Sequence, residues 1–321
     1  MKKYDVIIVG AGPAGLSCAW YLSQRGKRCI LLEKKQNLAG KVCGDGLSSH
    51  AVRVLEKLNI DTSEILELGG KRIAYNVTSH FGEIYNKRFL RNGYCADYSI
   101  GISRDVFDSY LKKKALEAGS ELRTDYEVKN VLFENDEYLV GDYSAPIIVY
   151  ANGIGTRPLA GTLNCKEMPV GISSRIIGDA EGIEDNTFYF KYCHAYGKGY
   201  GWIFPVGKRT WNIGVWTSDK KRVLKKNYCE FEKSVIEKFF DGKVCFDRPP
   251  RGAIIGASTK KNVPIGRRNN EYHIGDCALE ADYMTGEGIS FAIESGIETA
   301  RIVLNEKPES RKKQSIYLES I

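Results

Sequence analysis

The sequence lacks the cysteine and histidine patterns of a disulfide-stabilised or zinc-binding protein. Its nine cysteines are scattered at positions 18, 29, 43, 95, 165, 193, 229, 245 and 277; their number is odd, and no two form a C-x-x-C pair. The four histidines, His50, His80, His194 and His273, show no metal spacing, so we assign no metal. Free thiols are typical of a reducing compartment, and we therefore expect a cytoplasmic protein.

Long apolar runs are also absent. No stretch of 18 apolar residues is present to span a bilayer. Met1-Lys2-Lys3 leads directly into an apolar strand instead of a secretory leader, so we expect a soluble protein. The 321 residues, 43% hydrophobic and 27% charged, are typical of globular proteins and are enough for two domains.

The net charge of +7 comes partly from basic clusters at residues 220–222, 225–226 and 311–313. Two interpretations stand: solvated lysines on exposed helix faces, or peripheral contact with anionic lipid or a phosphorylated substrate. No aromatic platform is interleaved with these residues, so we expect no nucleic-acid binding.

The first 33 residues contain the most specific motif in the chain. An apolar run over residues 6–9 is followed by Gly10-Ala11-Gly12-Pro13-Ala14-Gly15 and then by a helical pattern. In this G-x-G-x-x-G arrangement, Gly10 permits a sharp turn, Gly12 permits close approach of a pyrophosphate, and Gly15 permits tight packing of helix on strand. The pattern predicts a dinucleotide-binding site.

An acidic residue follows at the spacing that this motif requires. Glu33 lies 18 residues after Gly15, at the end of a second apolar strand over Cys29–Leu32. A carboxylate at this position accepts hydrogen bonds from the ribose hydroxyls of an adenosine and disfavours a 2'-phosphate.

Periodicity predicts the other elements. Helices are predicted over 47–58, 104–118, 219–240 and 288–304, and strands over 71–86, 125–133, 137–140, 147–150 and 272–276, with an antiparallel segment over 170–217. We therefore predict a discontinuous dinucleotide domain (1–70, 100–160 and 265–305), an inserted substrate-binding antiparallel sheet (71–99 and 161–264) and a polar tail (306–321).

Four further motifs match a known family. They are Lys41-Val42-Cys43-Gly44-Asp45-Gly46-Leu47-Ser48, Ile102-Ser103-Arg104-Asp105, Tyr200-Gly201-Trp202-Ile203-Phe204-Pro205, and Gly275-Asp276 with Thr285-Gly286-Glu287-Gly288-Ile289. Together with the fingerprint, they resemble the geranylgeranyl reductase family, within the para-hydroxybenzoate hydroxylase-like flavoproteins. The resemblance covers nearly the whole chain.

The resemblance implies an α/β (α+β) fold in which a Rossmann-type FAD-binding domain carries the inserted sheet. It also implies FAD as the cofactor. The residues expected to bind it are Gly10, Gly12, Pro13, Ala14, Gly15, Glu33, Lys34, Cys43, Gly44, Gly46, Arg104, Val128, Asn152, Gly153, Gly275, Asp276, Gly286, Gly288 and Ile289.

Physical chemistry supports part of this set. Asp276 can accept a hydrogen bond from a ribityl hydroxyl, and the amides of Gly288 and Ile289 at a helix start present positive charge to the N1–C2 edge of a flavin. The chain departs from the family pattern at Asn152, where Asp is usual, and at Gly197, where Pro is usual. The first departure removes a charge near the flavin or its electron donor.

Cys43, Tyr200 and Trp202 are the candidate catalytic residues. A thiol in the glycine-flanked loop faces the flavin and shapes the pocket or supplies a proton; the competing interpretation is an inert buried cysteine. Tyr200 and Trp202 alternate along a strand and so share one face with Phe204. They either wall an apolar slot or simply fill the core.

We therefore expect an FAD-dependent reductase of carbon-carbon double bonds in an isoprenoid-like substrate. A second fingerprint is absent from the sequence, so the electron donor is expected to be transiently bound NAD(P)H or a ferredoxin-like carrier. A flavin monooxygenase or halogenase on the same fold is the alternative, although the halogenase pattern Gly-Trp-x-Trp-x-Ile-Pro is replaced here by Gly-Tyr-Gly-Trp-Ile-Phe-Pro. A non-catalytic flavin-binding protein is a third interpretation.

Overall fold

A computed structural model describes residues 1–80, 83–154, 168–219, 224–257 and 270–306. The helices in these ranges are α1 (Pro13–Ser23), α2 (Ser49–Lys57), α3 (Thr62–Glu67), α4 (Arg104–Glu117), α5 (Leu224–Phe239) and α6 (Ile289–Val303), with 3-10 turns at His194–Tyr196 and Gly275–Ala278. Each of the four predicted helices is found, with ends shifted by a few residues.

The strands in the first half of the chain are β1 (Lys2–Lys3), β2 (Val6–Val9), β3 (Cys29–Leu32), β4 (Gly46–Leu47), β5 (Lys71–Ile73), β6 (Tyr75–His80), β7 (Glu83–Arg88), β8 (Ser99–Gly101), β9 (Glu121–Arg123), β10 (Leu132–Glu134), β11 (Glu137–Val140), β12 (Tyr143–Ala145) and β13 (Ile148–Tyr150). Those in the second half are β14 (Val170–Ile177), β15 (Thr187–Tyr192), β16 (Gly199–Gly207), β17 (Thr210–Thr217), β18 (Cys245–Ile254) and β19 (Glu271–His273).

A five-stranded parallel sheet forms the centre of the dinucleotide-binding part. Its order is β19-β13-β2-β3-β9, and every neighbouring pair is parallel. Strands β2, β13 and β3 are fully buried because both faces of the sheet are covered, which explains their unbroken apolar sequences. The strand predicted over 272–276 is confirmed as β19, which returns from late in the chain to pair with β13.

A four-stranded sheet, β1-β12-β11-β10, packs next to the parallel sheet. The prediction of a strand over 125–133 is wrong for most of its length, since only residues 132 onward form one. Asp125 adopts a φ of +54°, which ends the extended conformation after β9. Tyr126 and Val128 then pack against the core, although residues 124–131 belong to no strand.

A seven-stranded sheet, β18-β14-β17-β16-β15-β6-β7, forms the second part of the molecule. It is antiparallel, as expected from the sequence, except for the parallel pair of β15 with β6. Helix α5 covers one face through its buried stripe of Tyr228, Phe231 and Val235. The opposite face carries Trp202, Phe204 and other rings, and it faces the dinucleotide-binding part.

A small sheet, β4-β8-β5, lies between these two parts. It leads into α2, which begins after Ser48 because the Ser48 side chain accepts a hydrogen bond from the Ala51 amide at 3.0 Å. Helix α2 packs on α6, which also contacts α1. The segment from Lys41 to His50 is therefore held between the fingerprint helix and the seven-stranded sheet.

Of the predicted tail 306–321, only Glu306 lies in the described residues, and the clusters at 220–222 and 311–313 lie outside them. Within the described ranges, no helix combines the length and the apolar composition needed to cross a bilayer.

Candidate cofactor and substrate site

The glycine-rich turn between β2 and α1 has two glycines that protein packing requires and one that it does not. Gly10 has a φ of +102°, and a Cβ there would lie 2.5 Å from the Ala151 carbonyl oxygen. A Cβ on Gly15 would lie 2.1 Å from the Gly10 oxygen. A Cβ on Gly12 would meet no protein atom within 4 Å. Packing explains the first and last glycines, whereas Gly12 leaves free space where a ligand backbone can approach.

Helix α1 begins directly at this free space. Gly12 is its N-cap and provides no side-chain cap, Pro13 occupies the first turn, and no acidic residue lies in that turn. The free amides and the positive end of the helix dipole therefore remain available to an anion such as a pyrophosphate.

Glu33 lies at the carboxyl end of β3, next to the turn. Its carboxylate accepts hydrogen bonds from the amides of Ala11 and Lys35, both at 2.9 Å. These bonds fix the carboxylate at the edge of the cavity, where Lys34 also lies. The position is the one predicted for recognition of a ribose.

The loop before β4 brings Cys43 and Gly44 onto the seven-stranded sheet. The Cys43 carbonyl oxygen accepts hydrogen bonds from Asn212 Nδ2 at 2.9 Å, Ser173 Oγ at 3.2 Å and Arg248 Nη2 at 3.2 Å. A Cβ on Gly44 would lie 3.3 Å from the Trp202 indole nitrogen, so the loop rests directly on the ring.

Asp45 is fully buried beneath this loop. It accepts hydrogen bonds from Asn212 Nδ2 at 2.7 Å and from the Arg104 amide at 3.1 Å, and Arg248 lies 3.4 Å away. Burial raises the pKa of Asp45, although Arg248 opposes the shift. The carboxylate thus joins the loop, α4 and the sheet in one polar network.

Arg104 begins α4 and lines the cavity, but its charge is already paired. Its guanidinium donates two hydrogen bonds to Asp108, both at 2.8 Å. Burial alone would lower the pKa of Arg104, but the Asp108 carboxylate raises it above its usual value, and the Cys43 thiol acts in the same direction. Arg104 therefore stays cationic beside the cavity.

Strand β16 presents Tyr200, Trp202 and Phe204 to the cavity on one face, as the alternation predicted. The Trp202 indole donates to Asn212 Oδ1 at 2.8 Å, and the Tyr200 hydroxyl donates to the Thr285 carbonyl at 2.7 Å. Burial raises the pKa of Tyr200 well above its usual value. Rings from neighbouring strands complete an aromatic wall, which comprises Phe188, Phe190, Tyr192, Tyr200, Trp202, Phe204 and Trp216.

The start of α6 closes the opposite side of the site. Gly288 caps the helix without a side-chain bond, so the first amides of α6 are free. Asp276 lines the same side and forms an ion pair with Lys41 at 3.3 Å. The contacts of Asp276 with a ribityl chain and of the Gly288 and Ile289 amides with the N1–C2 edge of a flavin stay predictions.

These elements enclose one cavity of about 1190 Å³. Ordinary small-molecule pockets measure about 300–1,000 Å³, so the cavity has room for more than one small ligand. Sixteen of the nineteen predicted cofactor residues line it. Gly15 and Gly275 are packed against the turn and α1 instead, and Val128 lies against the neighbouring core, so its role at the adenine stays a prediction.

Sequence reasoning missed part of the site. Asn212, which holds the Cys43 loop, lies on β17 within the stretch 170–217 that predicted only a sheet, and Arg248, which also holds it, lies on β18, where no strand was predicted. His50 and Glu287 also line the cavity. Glu287 stood inside the quoted Gly-Glu-Gly motif, which was the available signal for it. In the described part of the chain, no group of three or more His, Cys, Asp or Glu side chains is arranged to hold a metal.

Comparison with known proteins identifies a matching domain family and curated relatives of this chain. Residues 3–140 match the FAD binding domain family. Digeranylgeranylglycerophospholipid reductase 3 of Methanosphaera stadtmanae is 28% identical over 326 residues, covering 94% of this chain and 77% of the relative. The digeranylgeranylglycerophospholipid reductase of Methanosarcina acetivorans is 27% identical over 312 residues, covering 91% and 73%.

Solved structures share the fold. A geranylgeranyl bacteriochlorophyll reductase-like protein from Thermoplasma acidophilum superposes with a TM-score of 0.77 at 22% identity, covering 95% of this chain and 79% of that one. A myxobacterial chondrochloren halogenase superposes with a TM-score of 0.76 at 19% identity, covering 97% and 77%.

The fold is that of the para-hydroxybenzoate hydroxylase-like flavoproteins, and the match over residues 3–140 together with the names of the curated relatives supports an FAD-dependent oxidoreductase. Its cofactor is FAD, and the free space at Gly12 fits the close approach that the pyrophosphate requires. The resemblance to the geranylgeranyl reductase family is confirmed by the curated relatives.

Proposed function

We propose that this protein reduces carbon-carbon double bonds in an isoprenoid or similar apolar chain. The observation that carries the proposal is the aromatic wall, which gives part of the 1190 Å³ cavity an apolar lining apart from most of the residues expected to bind the dinucleotide. Bound reduced FAD would supply a hydride to one carbon of the double bond. The names of the curated relatives support a prenyl lipid as the class of substrate.

The chain's own residues provide the other requirements of this reaction. The Tyr200 hydroxyl is engaged with Thr285 and Trp202 is engaged with Asn212, so both rings are fixed as a wall that orients an apolar chain and excludes water. Cys43 lies in the loop on this wall and lines the cavity. We propose that its thiol contacts the reacting carbons and donates the proton.

We propose transiently bound NAD(P)H or a ferredoxin-like protein as the electron source and the cytoplasm as the compartment. The eight cysteines of the described ranges are free thiols, which fits a reducing environment.

The test uses the FAD-loaded protein, reduced without oxygen and mixed with geranylgeraniol or geranylgeranyl diphosphate. We expect the flavin to reoxidise and the product to gain two mass units per double bond. Cys43→Ser keeps the loop's backbone contacts and is expected to slow this step about 100-fold without loss of FAD. Reoxidation only on admission of oxygen, with a hydroxylated or halogenated product, would instead establish the monooxygenase or halogenase alternative.

A further inference from the structure

Three titratable side chains form a row that leads away from the cavity. Glu287 precedes α6 and lines the cavity, His50 lies in the first turn of α2, and Glu294 lies on α6. His50 Nε2 lies 3.1 Å from Glu294 Oε1, and His50 Nδ1 lies 3.9 Å from Glu287 Oε1. Ser48 and Ser290 both donate hydroxyl hydrogen bonds to Glu287 Oε1. The row thus runs from the cavity wall to Glu294 on α6, with a hydrogen-bonding distance at the Glu294 step and a separation of 3.9 Å at the Glu287 step.

The two ends of the row differ in burial. The side chains of Glu287 and His50 are only 13% and 6% exposed, whereas Glu294 is 34% exposed. The inner carboxylate therefore contacts the cavity, and the outer one contacts solvent. His50 Nδ1 is buried and has no hydrogen-bond partner, which is energetically unfavourable for a polar atom. Glu287 Oε1 lies 3.9 Å from it, so a proton passes between them only when the two groups move closer together.

The electrostatics favour proton exchange between these groups. Burial raises the pKa of Glu287, against the influence of His50, Ser290 and Ser48. Burial alone would lower the pKa of His50, but the Glu294 hydrogen bond and the Glu287 charge raise it above its usual value. The other charged or titratable groups that act on the row are Asp282, Lys57, Cys95 and Tyr200. An acid with a raised pKa holds its proton closer to neutral pH, where it can be donated.

We propose that Glu294, His50 and Glu287 form a proton inlet from solvent to the cavity. This proposal rests on the reductase function, because each reduced double bond takes up one hydride and one proton. The donor beside the substrate carbon loses its proton and regains one from the Glu287 carboxyl group. The Glu287 carboxylate then takes a proton from the His50 imidazolium, and the imidazole takes one from solvent through Glu294. The two electrons come from reduced FAD, so charge and atoms balance.

The test compares Glu287→Gln, His50→Gln and Glu294→Gln with a matched control, His273→Gln. His273 is another buried histidine bonded to a glutamate, with Nε2 2.8 Å from Glu271 Oε1, but it does not line the cavity. In steady-state turnover with reduced FAD, we expect the two inner variants to lose about 100-fold in rate and to recover with added imidazole. The control keeps the wild-type rate. The inlet would be overturned by an equal loss of turnover rate in His273→Gln, or by wild-type rates in both Glu287→Gln and His50→Gln.

A second readout needs no substrate. We expect photoreduction of the bound FAD at neutral pH to draw protons from solvent quickly in wild type and slowly in His50→Gln and Glu294→Gln, measured with a pH-indicator dye. NMR of ¹⁵N-histidine-labelled holoprotein should show that Glu287→Gln lowers the pKa of His50.

Unchanged proton uptake together with an unchanged His50 titration would refute the inlet, even if wild type reduces prenyl chains. If wild type reduces none of them while uptake slows, the inlet stands and the proposed substrate class fails. Glu294→Gln changes a partly exposed residue, so it keeps the test valid if an inner variant does not fold.

Discussion

At the scale of single residues, the structure separates glycines needed for folding from the glycine that the cofactor needs. A Cβ on Gly12 has free space in the protein but would lie where the pyrophosphate approaches. We therefore expect Gly12→Ala to fold with wild-type stability and to weaken FAD binding about tenfold or more, measured by fluorescence titration. Gly93→Ala, at a loop position with the same free space, is the control and should bind normally. Wild-type affinity in Gly12→Ala would remove Gly12 from the site.

His50 carries a pH dependence whose sign follows from its surroundings. Because the Glu294 and Glu287 carboxylates raise its folded-state pKa despite burial, protonated His50 stabilises the fold. That contribution is fully present below the unfolded pKa of about 6.5 and is lost as pH rises through the folded pKa. We expect the difference in free energy of unfolding between wild type and His50→Gln to shrink with rising pH, measured by urea denaturation. A difference that grows with pH would mean that burial outweighs the two carboxylates.

At the scale of elements, Asn212 joins β17 to the Cys43 loop and to β16. Its fully buried amide accepts the Trp202 indole hydrogen bond and donates to both the Cys43 carbonyl and Asp45. Asn212→Ala removes three hydrogen bonds, each worth about 1 kcal/mol, and leaves the Trp202 indole without its partner, whereas the Cys43 carbonyl keeps Ser173 and Arg248 and Asp45 keeps the Arg104 amide. We expect a loss of about 3 kcal/mol in the free energy of unfolding, with quenched or shifted Trp fluorescence.

The control for this change is Asn227→Ala, which removes one exposed hydrogen bond to the Ala195 carbonyl. We expect it to cost about 1 kcal/mol or less. Equal losses in the two variants would show that Asn212 does not hold the loop.

The helices and strands also show which features could be predicted from the sequence and which could not. The fingerprint, the buried strands β2 and β13 and the alternation in β16 were predictable because each depends on local periodicity. The break at Asp125 was not, because the side chains of Tyr126 and Val128 follow the alternation of a strand while they pack on the core from a segment that forms no strand. The contact between Ser48 and Glu287 joins residues 239 positions apart, so only the tertiary structure reveals it.

At the scale of the whole molecule, the cavity joins the parallel sheet to the seven-stranded sheet. Its walls come from the fingerprint turn, the Cys43 loop, β16 and the start of α6, which are far apart in sequence. A ligand bound there contacts elements on both sides, so it stabilises the folded state as a unit and has no site in the unfolded chain.

Removal of FAD is therefore expected to destabilise both parts together. At free FAD about 100 times its dissociation constant, binding contributes about 2.7 kcal/mol. Thermal unfolding followed by near-ultraviolet circular dichroism should show one transition for the holoprotein and a lower midpoint for the apoprotein. Because Gly12→Ala binds FAD weakly, FAD at that same concentration should raise its midpoint far less. If the aromatic signal of the seven-stranded sheet melted at the same temperature with and without FAD, the cofactor would contact the parallel-sheet part alone, and the aromatic wall would lie outside its reach.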